Sequence, residues 1–225
     1  MEKPIRLYFI DAISIIKSHL SLLYVPVLIG SGFYIPLISS KAPGAFFYFL
    51  SLIVMVVIYP LIYGRYTEII TNETHVSWIH IFNKHWFNYF VVNLILGIPI
   101  FIFAIISVSS ETQIGVTENL VSASVDVLAI YIIPLVFLTN KKFPSIPLGM
   151  KCLLGNFRFS FPLVLVTLFA VMCRLFVEFP SEGSGPSLGL VLFGFIFWVL
   201  IVLVDFTVFV TATLILKEKL FQNEL

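Results

Sequence analysis

The chain has 225 residues, of which 60% are hydrophobic and 11% charged, with a mean hydropathy of +1.07 and a net charge of +1. A soluble domain carries roughly a quarter of its residues as charges, so this composition excludes a soluble globular enzyme and points to an integral membrane protein. A net charge of +1 gives no ground for a nucleic-acid partner.

Six apolar segments, at about 20–38, 45–63, 87–108, 121–139, 161–179 and 188–216, are long enough to cross a bilayer or nearly so. The expected fold is therefore all-α: a polytopic membrane protein with six transmembrane helices arranged as three hairpins, forming a single membrane domain over 1–225. Ahead of the first span, Lys3 and Arg6 precede an apolar stretch that Asp11 and Lys17 interrupt, and no small-residue cleavage site follows, which predicts an uncleaved start. Pro26, Pro36, Pro60, Pro99 and Pro134 fall within or at the ends of spans. Membrane helices tolerate prolines because neighbours satisfy the freed carbonyls, so these predict kinks and not breaks. In the fourth span only 127–138 is cleanly apolar, and Ser122, Ser124 and Asp126 belong near an interface or against protein. The sixth is the longest, 29 residues, or roughly 43 Å of helix. Asp205 lies within it, where a carboxylate costs a few kcal/mol unless it faces protein or water and finds a partner.

Orientation follows from the basic residues. Eleven of the thirteen, among them Lys17, Arg65, Lys84, Lys141, Lys151, Arg158 and Lys217, fall on one side of the six spans; only Lys41 and Arg174 do not. The positive-inside rule makes that side cytoplasmic, with both termini there, and the expected location is a bacterial inner membrane. The connections on the other side, near 39–44, 109–120 and 180–187, are short and carry Glu111, Glu118 and Glu182. On the inner side each odd-numbered span is preceded by some twenty residues of amphipathic pattern, as in helices that lie in the interface with cations toward the headgroups. Lys17, Lys84 and Arg158 each come just before a span, 67 and 74 residues apart. They are the candidate contacts to anionic lipid headgroups, and the spacing divides the chain into repeat units 1–63, 64–139 and 140–216.

Residues 133–162, IPLVFLTNKKFPSIPLGMKCLLGNFRFSFP, combine a proline-bearing fourth span, a short polar turn, an amphipathic helix, and Asn156-Phe157-Arg158 leading into Pro162. This stretch resembles the corresponding part of a broad group of bacterial six-helix membrane proteins, which includes the membrane domain attached to some glycerophosphodiester phosphodiesterases. The resemblance implies the six-helix layout and carries no catalytic residue with it.

Motifs for chemistry are few. Gly185-Pro186-Ser187-Leu188-Gly189 matches GxSxG, but a nucleophile elbow needs a preceding strand and a histidine in reach, and His19, His75, His80 and His85 all fall on the opposite side. Glu68, Glu73, His75, His80 and His85 are metal-ligand residue types. The five-residue histidine spacing turns about 140° per step, so they do not share a helix face. Cys152 and Cys173 fit neither a disulfide framework nor a zinc spacing. No metal or other cofactor is implied. The ionisable residues at membrane depth are Arg174 and Glu178 in span five, Asp126 in span four and Asp205 in span six. Helix rise sets Arg174 and Asp205 at similar heights, so an intramembrane ion pair between them is expected, with Asp126 and Glu178 as competitors. The reading is a non-enzymatic scaffold or accessory subunit that contacts the lipid bilayer, anionic headgroups or a membrane-protein partner. The alternative is a small permease or transport-complex subunit with a polar pathway near Asp205.

Overall fold

The computed structural model describes residues 3–28, 53–73, 76–110, 115–178 and 188–221, and every element among them is helical. In chain order these are α1 (Ile5–Ser18), α2 (Leu20–Leu28, opening with a 3-10 turn), a π-helical turn at Val54–Ile58 leading into α3 (Tyr59–Thr71), α4 (Trp78–Ser110), α5 (Gly115–Thr139), α6 (Ser145–Gly155), α7 (Phe157–Glu178) and α8 (Leu188–Phe221).

Local chemistry sets the boundaries. Asn72 and Asn140 adopt the left-handed conformation, with φ of 63° and 53°, which asparagine tolerates better than most residues. They end α3 and α5. After Asn72 the Glu73 amide donates back to the Glu68 carbonyl at 2.9 Å, the six-to-one bond of a Schellman ending. Pro144 is the N-cap of α6 and Pro147 lies in its first turn, where missing amides cost nothing because those donors have no partner within the helix.

The prolines inside the described spans do not break their helices. Pro99, Pro134 and Pro162 lie within α4, α5 and α7, and the helices run on through them. At Pro60 the compensation is visible: the carbonyl four residues earlier, Val56, loses its α-helical donor and accepts the indole N–H of Trp86 from α4 at 2.8 Å. Pro36 lies outside the described residues.

The expectation of six spans is corrected. Among the described residues three helices are long and apolar enough to cross a membrane, Trp78–Phe103, Leu120–Thr139 and Leu192–Lys219. Two further pairs qualify only as bent units, α1 with α2 at 81° and α6 with Phe157–Cys173 of α7 at 103°, which brings the total to five at most. The first two expected spans run partly through 29–52, outside the described residues. The third segment differs as well: its amphipathic lead is continuous with its span, since α4 runs unbroken from Trp78.

The longest apolar run forms the central helix. Of its most apolar stretch 61% is buried within the protein, against 44% for α5 and 11% for α4. α8 therefore packs on protein while α4 turns most of its surface outward. α1, α3, α5 and α7 all contact α8, and α5 also contacts α3, α4, α6 and α7. Two apolar clusters fill the space beside the α5–α8 seam. One joins Ile16, Ile62, Tyr66, Val136 and Phe206; the other joins Tyr8, Tyr131, Leu153, Leu163 and Ile215.

Two helix pairs approach closely through glycine. A Cβ added at Gly64 of α3 would overlap Ile81 of α4, and one at Gly149 of α6 would meet the Cα and N of Ile132 at 2.9 Å. Backbone cannot rotate away as a side-chain tip can, so Gly149→Ala is expected to push α6 off α5 and to cost about 1–3 kcal/mol. Gly155→Ala, with nothing within 4 Å of the new carbon, is expected to be neutral or slightly stabilising. Thermal unfolding of the two variants in detergent checks the contrast.

Candidate functional site

A polar group gathers around the tyrosines of α3. Tyr59, Tyr63 and Tyr66 follow helical spacing, so they fall near one face of α3. That face meets α4, α5 and α8. The Tyr63 ring lies 4.2 Å from Phe209, 5.2 Å from Phe206, 5.7 Å from Tyr59 and 6.1 Å from Tyr89, centroid to centroid. Phe137 closes the group at 5.9 Å from Tyr63. Asp126 of α5 and Asp205 of α8 both act electrostatically on Tyr63. Tyr59, Tyr63, Tyr89, Asp126 and Asp205 are each half-buried, whereas Phe137, Phe206 and Phe209 beside them are buried. The result is a polar seam in an aromatic wall, contributed by four helices.

Of the four expected ion-pair residues, Asp126 and Asp205 both act on Tyr63. The side chains of Arg174 and Glu178 lie outside the described residues, although α7, which carries both, packs along α8. The tyrosines escaped the sequence reading, which looked for charges; the 59, 63, 66 spacing was the available signal.

A second polar group sits at the corner between α3 and α4, at the end of the bundle where the basic residues collect. Glu68 is 2% exposed and His85 is 1% exposed. Arg65 donates to Glu68 Oε2 at 3.4 Å and to the Val76 carbonyl at 3.3 Å, with its guanidinium over the Trp78 ring. Glu68 Oε1 and both ring nitrogens of His85 have no hydrogen-bond partner among the described residues. His85 packs on Phe137 at 5.0 Å and against Gly64, while His80 is exposed on the same helix. The buried and exposed histidines therefore diverge, and no group of three metal-ligating side chains occurs among the described residues. His75 lies outside them, as does Ser187 of the GxSxG match.

Of the three candidate headgroup contacts, Lys17 is exposed in the last turn of α1 and Arg158 in the first turn of α7. Lys84 is already in an ion pair with Glu73 at 3.2 Å. Cys152 is half-buried and Cys173 buried, both free thiols. With this geometry in hand, no family model, curated protein or solved structure matches the chain.

Burial pushes the Glu68 carboxyl above its usual range, and the attraction of Arg65 offsets only part of that. A carboxyl raised in the folded state binds its proton more tightly there than when unfolded. Its contribution is favourable below the ordinary carboxylate value and is lost as pH rises through the raised one. Wild type should therefore gain thermal stability as pH is lowered from neutral toward the ordinary carboxylate range. Glu68→Gln should be the more stable protein at neutral pH and should lack that part of the pH dependence. Melting curves of the two proteins across this range decide it.

Proposed function

We propose that this chain is a non-enzymatic, multi-pass integral membrane protein, a scaffold or accessory subunit whose basic end contacts anionic lipid headgroups or a membrane-protein partner. Its basic end and both termini face the cytoplasm, and the membrane is a bacterial inner membrane. The same proposal includes a relation to the six-helix group that residues 133–162 resemble.

The observation that carries the reading is the pair of sharply bent amphipathic helices. α1 meets α2 at 81° and α6 meets α7 at 103°. On α1 the exposed side chains include Leu7, Ile10 and Ile13 together with Arg6 and Lys17; on α6 and the bend they include Met150, Leu154 and Phe157 together with Lys151 and Arg158. Exposed apolar surface beside cations, on a short helix turned away from a span, suits the boundary between acyl chains and headgroups. Each basic residue near an anionic surface contributes about 1 kcal/mol. Replacing Lys17 and Arg158 with glutamine should lower the ratio of anionic to zwitterionic phospholipid bound to the purified protein in native mass spectrometry. An unchanged ratio counts against the reading.

One observation favours the second reading, a small permease or transport-complex subunit. Asp126 and Asp205, both half-buried, act electrostatically on Tyr63, and intramembrane carboxylates often line ion or substrate paths. A structural ion pair between Arg174 and Asp205 is the competing account. Removing one member of such a pair costs about 3–5 kcal/mol because the other charge is left uncompensated, while removing both is milder. If the pair is structural, Asp205→Asn and Arg174→Gln each lower thermal stability in detergent, and the double replacement costs less than the two effects combined. Strict additivity would release Asp205 for a role in transport.

A further inference from the structure

Three successive residues in the last turns of α8 reach three different elements. The Lys217 ammonium donates to the Ile70 carbonyl near the end of α3. The Glu218 carboxylate accepts the hydroxyl of Tyr8 on α1 at 2.6 Å. The Lys219 ammonium donates to Asn156 Oδ1, at the bend between α6 and α7. Consecutive helical residues point about 100° apart, so a single turn can hold three partners only where the bundle surrounds it.

Two of these partners belong to the bent helices. Tyr8 is 3% exposed and, with Ala12 and Ile16, carries α1 into the core. Asn156 is the pivot of the second bend: its amide and its side-chain amide both donate to the Cys152 carbonyl, and its own carbonyl accepts from the amides of Phe159 and Ser160. The two attachments also meet each other. The Phe159 ring lies edge-on to Tyr8 at 6.2 Å, and the Lys219 ammonium sits 4.4 Å from the centre of the same ring. Phe159 is buried. Loss of either attachment therefore disturbs a ring on which the other leans.

We infer that the last turns of α8 form a latch that holds both bent amphipathic helices at once, α1 through Glu218 and the α6–α7 bend through Lys219, with Phe159 coupling the two. A ligand or partner that takes hold of Lys217–Lys219 would then release both helices together. The latch does not depend on which lipid, if any, the basic end prefers.

Hydrogen exchange followed by mass spectrometry, on the protein in lipid nanodiscs, tests it with two single replacements. Lys219→Met keeps the apolar stem over Phe159 and removes the ammonium; Tyr8→Phe removes one hydroxyl from an otherwise unchanged core. Each should speed amide exchange in both 5–18 and 145–155, by about tenfold, the factor expected for one charge-assisted hydrogen bond. Exchange in 192–210 of α8 should stay as in wild type. Acceleration confined to the helix nearest each replacement would show two independent tethers and overturn the latch. No acceleration, or acceleration that includes 192–210, would overturn it too. Should Lys219→Met fail to fold, Tyr8→Phe carries the same test alone, since it too must reach 145–155.

Discussion

Hydrocarbon offers no hydrogen bonds, and the arrangement of this chain follows from that constraint. A polar group carried into a span is driven toward a partner inside the protein, although the Tyr131 hydroxyl, the Thr211 hydroxyl and the His85 ring have none among the described residues. Hydroxyls and amides take the nearest solution by bonding to the carbonyl one turn back, as Thr67 does to Tyr63, Asn93 to Tyr89, Thr207 to Leu203 and Thr213 to Phe209. A proline-freed carbonyl needs help from elsewhere, and Trp86 of α4 supplies it to Val56. Trp198 makes a similar crossing from α8 to the Pro26 carbonyl of α2 at 3.4 Å. Asp126 and Asp205 act on the seam where α3 and α4 present tyrosines and α5 and α8 present phenylalanines.

The same constraint separates what could be read in the sequence from what could not. Helical class and membrane character follow from composition and run length, because only a helix satisfies its backbone within one segment. The dominance of 188–216 was legible for the same reason: a run longer than hydrocarbon requires, interrupted by small residues and threonines, suits packing on protein on several sides. Bend angles were not legible. A polar interruption such as Ser18-His19 or Gly155-Asn156 marks a place where a helix can stop, but the turn that follows depends on what the next helix packs against. Nor does hydropathy distinguish Trp78–Trp86 as a separate interface helix from the same residues as the first turns of a long span. The structure takes the second course, because Gly64 lets α3 lie close against Ile81 and His85.

For the candidate site, charge singled out Asp126 and Asp205 but said nothing of their company. Helix rise from the flanking lysines gives the two aspartates an expected depth. The identity of the side chains around them could not be read, because packing partners come from other helices with no sequence relation to the aspartates. Glu68 and His85 show the same limit. As residue types they read like metal ligands; in the fold they occupy the α3–α4 corner, His85 against phenylalanine and glycine, Glu68 beside Arg65.

That α8 is central also bears on how the protein is made. In chain order α8 comes after the other described helices, yet α1, α3, α5 and α7 all pack on it. Helices insert before they associate. Until α8 leaves the ribosome, the faces bearing Tyr8, Ile62, Tyr66 and Leu163 have only lipid or one another to meet. The helices that precede α8 enter with those faces unfilled, and α8 supplies the surface on which they close.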